Sequence, residues 1–404
     1  MNFRGTISPV TKGGRLAAVM LFLGVIALVL FGLIGIGRGG GDFAHDMRYL
    51  FVAGEMWEAA RSPYDFDAFR DSMMSMVGID AVSYAYPPNS APLSLALSAG
   101  SVAAAKLVIT ALNLAAIAIL CAYVFQGAAR SISGDAESRR AAALISAAVV
   151  IGNPFSAHVI WMGQTSLISA ALLYAAWLAA DRRSDAIAGV LLGLAAFKPQ
   201  LAFLVGLWFI LDRRWLLVVV AAATTIVISL YPIITTGFEG SWLAWLRALA
   251  DYQGGAYNLV SFRHVFGLRS LLASFGITVP SLMPLAIMAV IGLYWRRHHY
   301  EEIWLINAIL ILSFLLLYAH DYDLAAVACL TYPLLIATRA RPALLLLICV
   351  LASLLFFPQR IWEKLDLSQM ARSRELALMA LLGIYLVVAR TAAGSRAGPA
   401  TVVE

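Results

Sequence analysis

The stretch GGGDFAHDMRYL, residues 39–50, sets Asp42, His45 and Asp46 directly after the apolar run 16–37. A carboxylate placed there can take a proton from an attacking hydroxyl, and an imidazole can hold or share one. Three further places repeat the pattern. NPFSAHVIWMGQ supplies Asn153, His158 and Gln164; FKPQ puts Lys198 at a proline-broken corner; YAHDYDL carries His320, Asp321 and Asp323 between two apolar runs. Ionisable groups beside lipid are costly, and where they gather they mark function. Together these four places offer a base, a cation for a phosphate, and hydrogen bonds for a polar acceptor. Each also has a structural reading. Asn153-Pro154 terminates a helix, Gln164 caps the next one, and Lys198 snorkels to the headgroups. His320 and Asp321 form a buried pair, and Asp42 and Asp46 are solvated loop residues. Convergence of all four on one membrane face favours the chemical reading.

The elements that must position them are membrane helices. The chain of 404 residues is 62% hydrophobic and only 13% charged, against about a quarter charged in soluble domains. Its apolar residues recur in continuous blocks near the length that crosses about 30 Å of hydrocarbon. The pattern predicts an all-α, polytopic membrane protein and excludes a β-barrel, whose strands alternate. About twelve spans are expected, near 15–37, 102–126, 141–154, 164–180, 185–197, 199–211, 215–236, 279–295, 302–319, 321–338, 343–357 and 374–391. The first is read as a retained span rather than a cleaved signal.

The segment 86–100, apolar but short and opened by prolines, is expected to be a re-entrant half-helix. That assignment keeps the basic loops, such as DRRSD, DRRW and WRRHHYEE, on the N-terminal, cytoplasmic side. The net charge of +6 then speaks to topology, not to nucleic acid. Residues 38–85, 155–163, the 197–200 corner, 237–278, 319–321 and 358–373 share the outer face. In 38–85 the spacing of Tyr49, Val52/Ala53, Met56/Trp57 and Ala60 predicts an amphipathic helix along the interface. Trp242, Trp245, Tyr252 and Tyr257 predict a second interfacial structure. Residues 1–391 read as one integral-membrane domain and 392–404 as a disordered cytoplasmic tail. Cys121, Cys329 and Cys349 lie in apolar blocks without metal spacing, and no metal-binding pattern of carboxylates is seen.

Five segments, in order, resemble glycosyltransferase family 87. DMRYLFVAGEMWEAARSPYD is similar to its first-loop signature, and YPPNSAPLSL, beginning at Tyr86, to its Tyr-Pro-Pro segment. NPF with GQTSLISAALL resembles its Asn-Pro and Gly-Gln span, GLAAFKPQLAFL its Lys-Pro-Gln corner, and HDYDLAAVACL its late His/Tyr-Asp segment. The resemblance implies a GT-C fold with a catalytic first outer loop and a lipid-linked sugar donor. It further implies a polyprenyl-phosphate hexose, most typically mannose, transferred to a glycolipid or envelope glycan at a bacterial inner membrane, with the site on the outer face. No cofactor beyond that donor is implied. Family spacing to Pro63-Tyr64 favours Asp46 as the general base over Asp42.

An inverting transfer needs a carboxylate at the acceptor hydroxyl and positive charge at the departing phosphate. Asp46 fits the first need. Lys198 fits the second, helped by Arg263, while Gln164, Asn153, Tyr86 and Asp323 are expected to bind substrate and His320 to orient a reacting group. A transporter or flippase of lipid-linked saccharides, or a non-catalytic subunit of an envelope-assembly complex, are the rival readings. The long carboxylate-bearing first loop and the lack of an evident internal repeat favour the enzyme.

Overall fold

The structure, a computed structural model, describes residues 12–38, 40–131, 133–255, 258–357, 359–367, 370 and 372–394, and these are almost entirely helical. Among the described residues, three helices are long and apolar enough to cross a membrane: Ala18–Arg38, Val102–Arg130 and Ala136–Met162. Trp215–Ile228 with Leu230–Gly254 makes a fourth if the pair, bent by 59°, is one span. Six shorter apolar helices complete the set. The chain is a membrane-embedded helical protein.

The expected twelve spans are thus only partly full-length. Asp185–Ala195, at 11 residues, reaches about 16 Å, roughly half the hydrocarbon thickness. Prolines set several of the breaks, standing at the first position of Pro154–Met162, Pro199–Leu211 and Pro342–Phe356. There a missing N–H costs nothing, whereas one turn later it would break the helix.

Two outer segments depart from expectation. Residues 155–163, read as a turn, form the helix Pro154–Met162. The predicted amphipathic helix exists as Met47–Glu58, but it does not lie on the surface. Val52, Ala53, Met56 and Trp57 are fully enclosed, and the helix packs on the eight-residue Ala91–Ser98. That short helix reaches about 12 Å and does not cross the bilayer. Gly54 allows the contact, since a Cβ there would sit 2.4 Å from the Ser94 carbonyl oxygen. The first loop therefore builds a second core around Trp57, Tyr64, Phe69 and Tyr84. The later outer loop joins it: Trp245, on Ala244–Gly254, is buried and donates from Nε1 to the Ala85 carbonyl at 3.0 Å. Tyr257 lies outside the described residues, as do residues 395–404 of the tail; residues 392–394 continue the helix Ser373–Gly394.

The basic loops gather away from Asp46. Arg183, Arg213, Arg214 and Arg297 share one polar pocket with Asp185, Asp212 and Glu302, and Ser133 reaches Glu301 at 2.9 Å. The large cavity, mixed in its lining, lies elsewhere.

Candidate active site

A cavity of about 590 Å³ is lined by Asp46, Tyr86, Gln164, Lys198 and His320 together. Residues separated by up to 274 positions meet there because local structure delivers each one.

Asp46 is delivered by a helix end. The last carbonyls of Pro154–Met162 have no partner within their own helix. They accept instead from the first loop, Ala44 N to Trp161 O at 2.7 Å and Asp46 N to Met162 O at 2.8 Å. Gly163 closes that helix with φ of 71°, and a Cβ on it would lie 2.9 Å from the Met47 Cβ. Only glycine suits both demands. The next residue, Gln164, then meets Asp46, donating from Nε2 to Oδ2. Its Oε1 accepts from the Tyr86 hydroxyl at 3.1 Å, which in turn accepts from Thr165 Oγ1 at 3.2 Å. Asn113 Nδ2 holds the Gln164 carbonyl at 2.9 Å. The amide is thereby fixed with its donor toward the carboxylate. Asp46 keeps part of its surface open to the cavity but is otherwise surrounded by protein. Burial holds its carboxyl above the ordinary value of 3.8, and the Gln164 hydrogen bond draws it only part of the way back.

Asp42 has a different setting. It does not line the cavity and accepts from Arg48, from His45 Nδ1 at 3.0 Å and from Lys106 Nζ at 3.4 Å. Burial tends to raise its pKa, but His45, Arg48 and Lys106 outweigh it and hold the group below its ordinary value.

Lys198 caps Pro199–Leu211 and is only 4% exposed. It does not snorkel. Its Nζ donates to Asp323 Oδ1 at 2.9 Å and Ser166 Oγ at 2.8 Å, and Ser166 also donates to Asp323 at 2.5 Å. The second Asp323 oxygen accepts from the His320 backbone N–H at 3.1 Å. Asp323 is thus a buried counter-ion behind the cavity wall.

His320 stands on a two-residue strand paired with Val265–Phe266. Its ring accepts from the Asp323 backbone N–H, while Nε2 faces the hydroxyls of Tyr252 at 3.2 Å and Tyr318 at 3.5 Å. The accepting atom is therefore Nδ1, which leaves the proton on Nε2. Burial lowers the imidazole pKa despite the nearby Asp323 and Asp321, so the ring is neutral and a donor at neutral pH. Asp321 is not its partner: it accepts from His264 at 3.2 Å and Arg374 at 3.3 Å.

Besides Asp323, two other expected substrate contacts are not brought to the cavity. Asn153 is 4% exposed and spends its amide on the helix break, donating to Val149, Val150 and Ser156 and accepting from Ser156 N at 2.9 Å. Arg263 pairs with Glu363 at 2.7 Å, half exposed and off the cavity wall. The arginine that does line the cavity is Arg269, six residues on in SFRHVFGLRSLL. Tyr252, expected only as a belt aromatic, and Tyr322, given no role from the sequence, also line it.

A largely buried carboxylate and several hydrogen-bond donors, walled in part by Phe197, Phe203 and Leu317, suit a polar group held beside apolar surface. The family model of glycosyltransferase family 87 matches residues 84–358, well over half the chain, and the chain belongs to that family. It is a glycosyltransferase. The match takes in Tyr86, Gln164, Lys198 and His320; Asp46 and the first-loop segment 46–65 lie outside it. No curated protein matches the chain by sequence.

Proposed function

We propose that the protein transfers a hexose, mannose by preference, from a polyprenyl-phosphate donor to a glycolipid or envelope-glycan acceptor. The reaction takes place on the outer face of a bacterial inner membrane. The observation that carries this reading is Asp46, a cavity carboxylate raised in pKa by burial and aimed by Gln164. Asp46 accepts the acceptor hydroxyl's proton as that oxygen attacks the anomeric carbon. The bond from anomeric carbon to phosphate oxygen breaks, and its electron pair leaves with the phosphate. One carboxylate on the attacking side suits inversion at that carbon. His320 donates from Nε2 to a substrate oxygen. Lys198 offers a hydrogen bond from the wall, though its charge is matched by Asp323. Asp42, held by Arg48, Lys106 and His45, positions the first loop.

The test is transfer by the purified full-length protein in lipid nanodiscs. Radiolabelled polyprenyl-phosphate mannose and glucose are offered with membrane glycolipids, and the products are analysed. Mannose transfer that Asp46→Asn abolishes is the expected result. No transfer from any polyprenyl-phosphate sugar, with transfer from a nucleotide sugar, would overturn the donor class.

A further inference from the structure

The charges around the cavity do not balance the group that must leave. When the anomeric bond breaks, the phosphate gains negative charge, and a low-dielectric site needs a fixed cation there. Lys198 is already neutralised by Asp323, and His320 is a neutral donor. Arg263 is paired with Glu363 outside the cavity.

Arg269 is different. It lines the cavity, and its Nε is buried without a hydrogen-bond partner. An unpartnered guanidinium N–H in protein is costly, so its retention in a cavity wall marks a place where a ligand supplies the acceptor. Its neighbours, by contrast, are fixed. Gly267, with φ of 120°, presses against the Phe314 carbonyl, where a Cβ would lie 2.8 Å away. Ser270 donates to Val265 O at 2.7 Å and accepts from Arg372 at 2.5 Å. The backbone is locked on both sides of an arginine that makes no side-chain hydrogen bond among the described residues. A guanidinium fork matches two phosphate oxygens at once.

The same cavity has an apolar way out. Phe203 and Met283, near the starts of Pro199–Leu211 and Met283–Trp295, both line it and are 42% and 46% exposed on the apolar flank. These two helices pack side by side. A cavity wall that is also a lipid-facing surface gives an apolar tail a path from the site into the bilayer.

Resting on the function proposed above, we infer that Arg269 holds the leaving phosphate of the prenyl-phosphate donor, whose tail passes between Phe203 and Met283. The C–O bond electrons go to the phosphate oxygen, and Arg269 stabilises the charge that appears there. Lys198 is left as the counter-ion of Asp323.

The probes are farnesyl phosphate and farnesol, titrated by calorimetry against the full-length protein in nanodiscs. Wild type should prefer the phosphate. Arg269→Gln should lose about 10–100-fold of that affinity, with farnesol binding unchanged. Arg269→Lys, which keeps the charge without the fork, should lose severalfold, and it carries the test if the glutamine variant does not fold. Arg263→Gln should bind as wild type. Both Arg269 variants binding farnesyl phosphate as wild type does would overturn the inference while leaving the lipid-phosphate donor intact. A wild type with no preference for the phosphate would overturn the donor reading itself. A benzophenone-bearing prenyl phosphate should label Phe203 or Met283, and labelling confined to other helices would refute the tail path.

Discussion

Replacing Asp46 by Asn tests the site at its centre. The substitution keeps the side chain's shape, and the Asn oxygen can still accept from Gln164 Nε2, so the first loop has no reason to move. It also removes a carboxylate whose ionisation burial disfavours, so thermal stability should not fall. What is lost is basicity. A positioned base contributes about 10²–10⁴-fold, or about 3–5 kcal/mol of barrier. Initial rates of hexose transfer in nanodiscs should drop by that factor, while farnesyl phosphate binding stays within twofold or so of wild type. The pH profile gives an independent reading. Because the Asp46 pKa lies above 3.8, the base is present above that raised value and lost as pH falls through it. The wild-type acid limb should therefore sit above the ordinary aspartate value of 3.8 and vanish in the residual activity of Asp46→Asn. A loss smaller than about tenfold, with Asp42→Asn inactive, would refute the reasoning from burial and exchange the two roles.

Gln164→Leu removes the donor that lowers the Asp46 pKa, so the acid limb should move to higher pH; an unmoved limb would mean that Gln164 only fills space. Lys198→Met leaves Asp323 as an unpaired buried carboxylate, which should cost about 3–5 kcal/mol in thermal unfolding, largely recovered when Asp323→Asn is added. If stability is unchanged and only the donor KM rises, Lys198 serves the substrate instead of the ion pair. His320→Gln, which keeps an N–H donor, should retain more transfer than His320→Phe, and equal losses would deny Nε2 a donor's role. For topology, Ser75→Cys and Ala136→Cys, both exposed, should label from opposite sides once Cys349 is replaced by Ser; labelling from one side would invert the assignment of the outer face.

What could be read from the sequence was local. Apolar blocks and prolines at helix starts are set by neighbours in the chain, and the helical class followed from them, though several of the expected spans proved shorter and 154–162 is a helix rather than a turn. The helical spacing in 47–58 was legible too. Its burial was not, because that depends on Gly54 meeting Ser94, forty residues on.

Partners were harder to read, since a side chain's role depends on what saturates it. Lys198 looked like a free cation until Asp323 stood beside it. Asn153 looked like a substrate contact until every polar atom of its amide was spent on its own helix break. Arg263 and Arg269 lie in one short motif, and no local rule separates them. Glu363, one hundred positions away, takes the first and leaves the second facing the cavity. The same holds for the two carboxylates. Asp42 and Asp46 are alike as letters, yet Lys106 and Arg48 claim one, while Gln164 alone among the described side chains hydrogen-bonds the other. A carboxylate quenched by cations is a poor base, and a carboxylate held by a single neutral amide is a good one. The choice between them is therefore made in part by Lys106 on Val102–Arg130 and Gln164 just past Pro154–Met162, which is why spacing in the first loop could only rank them.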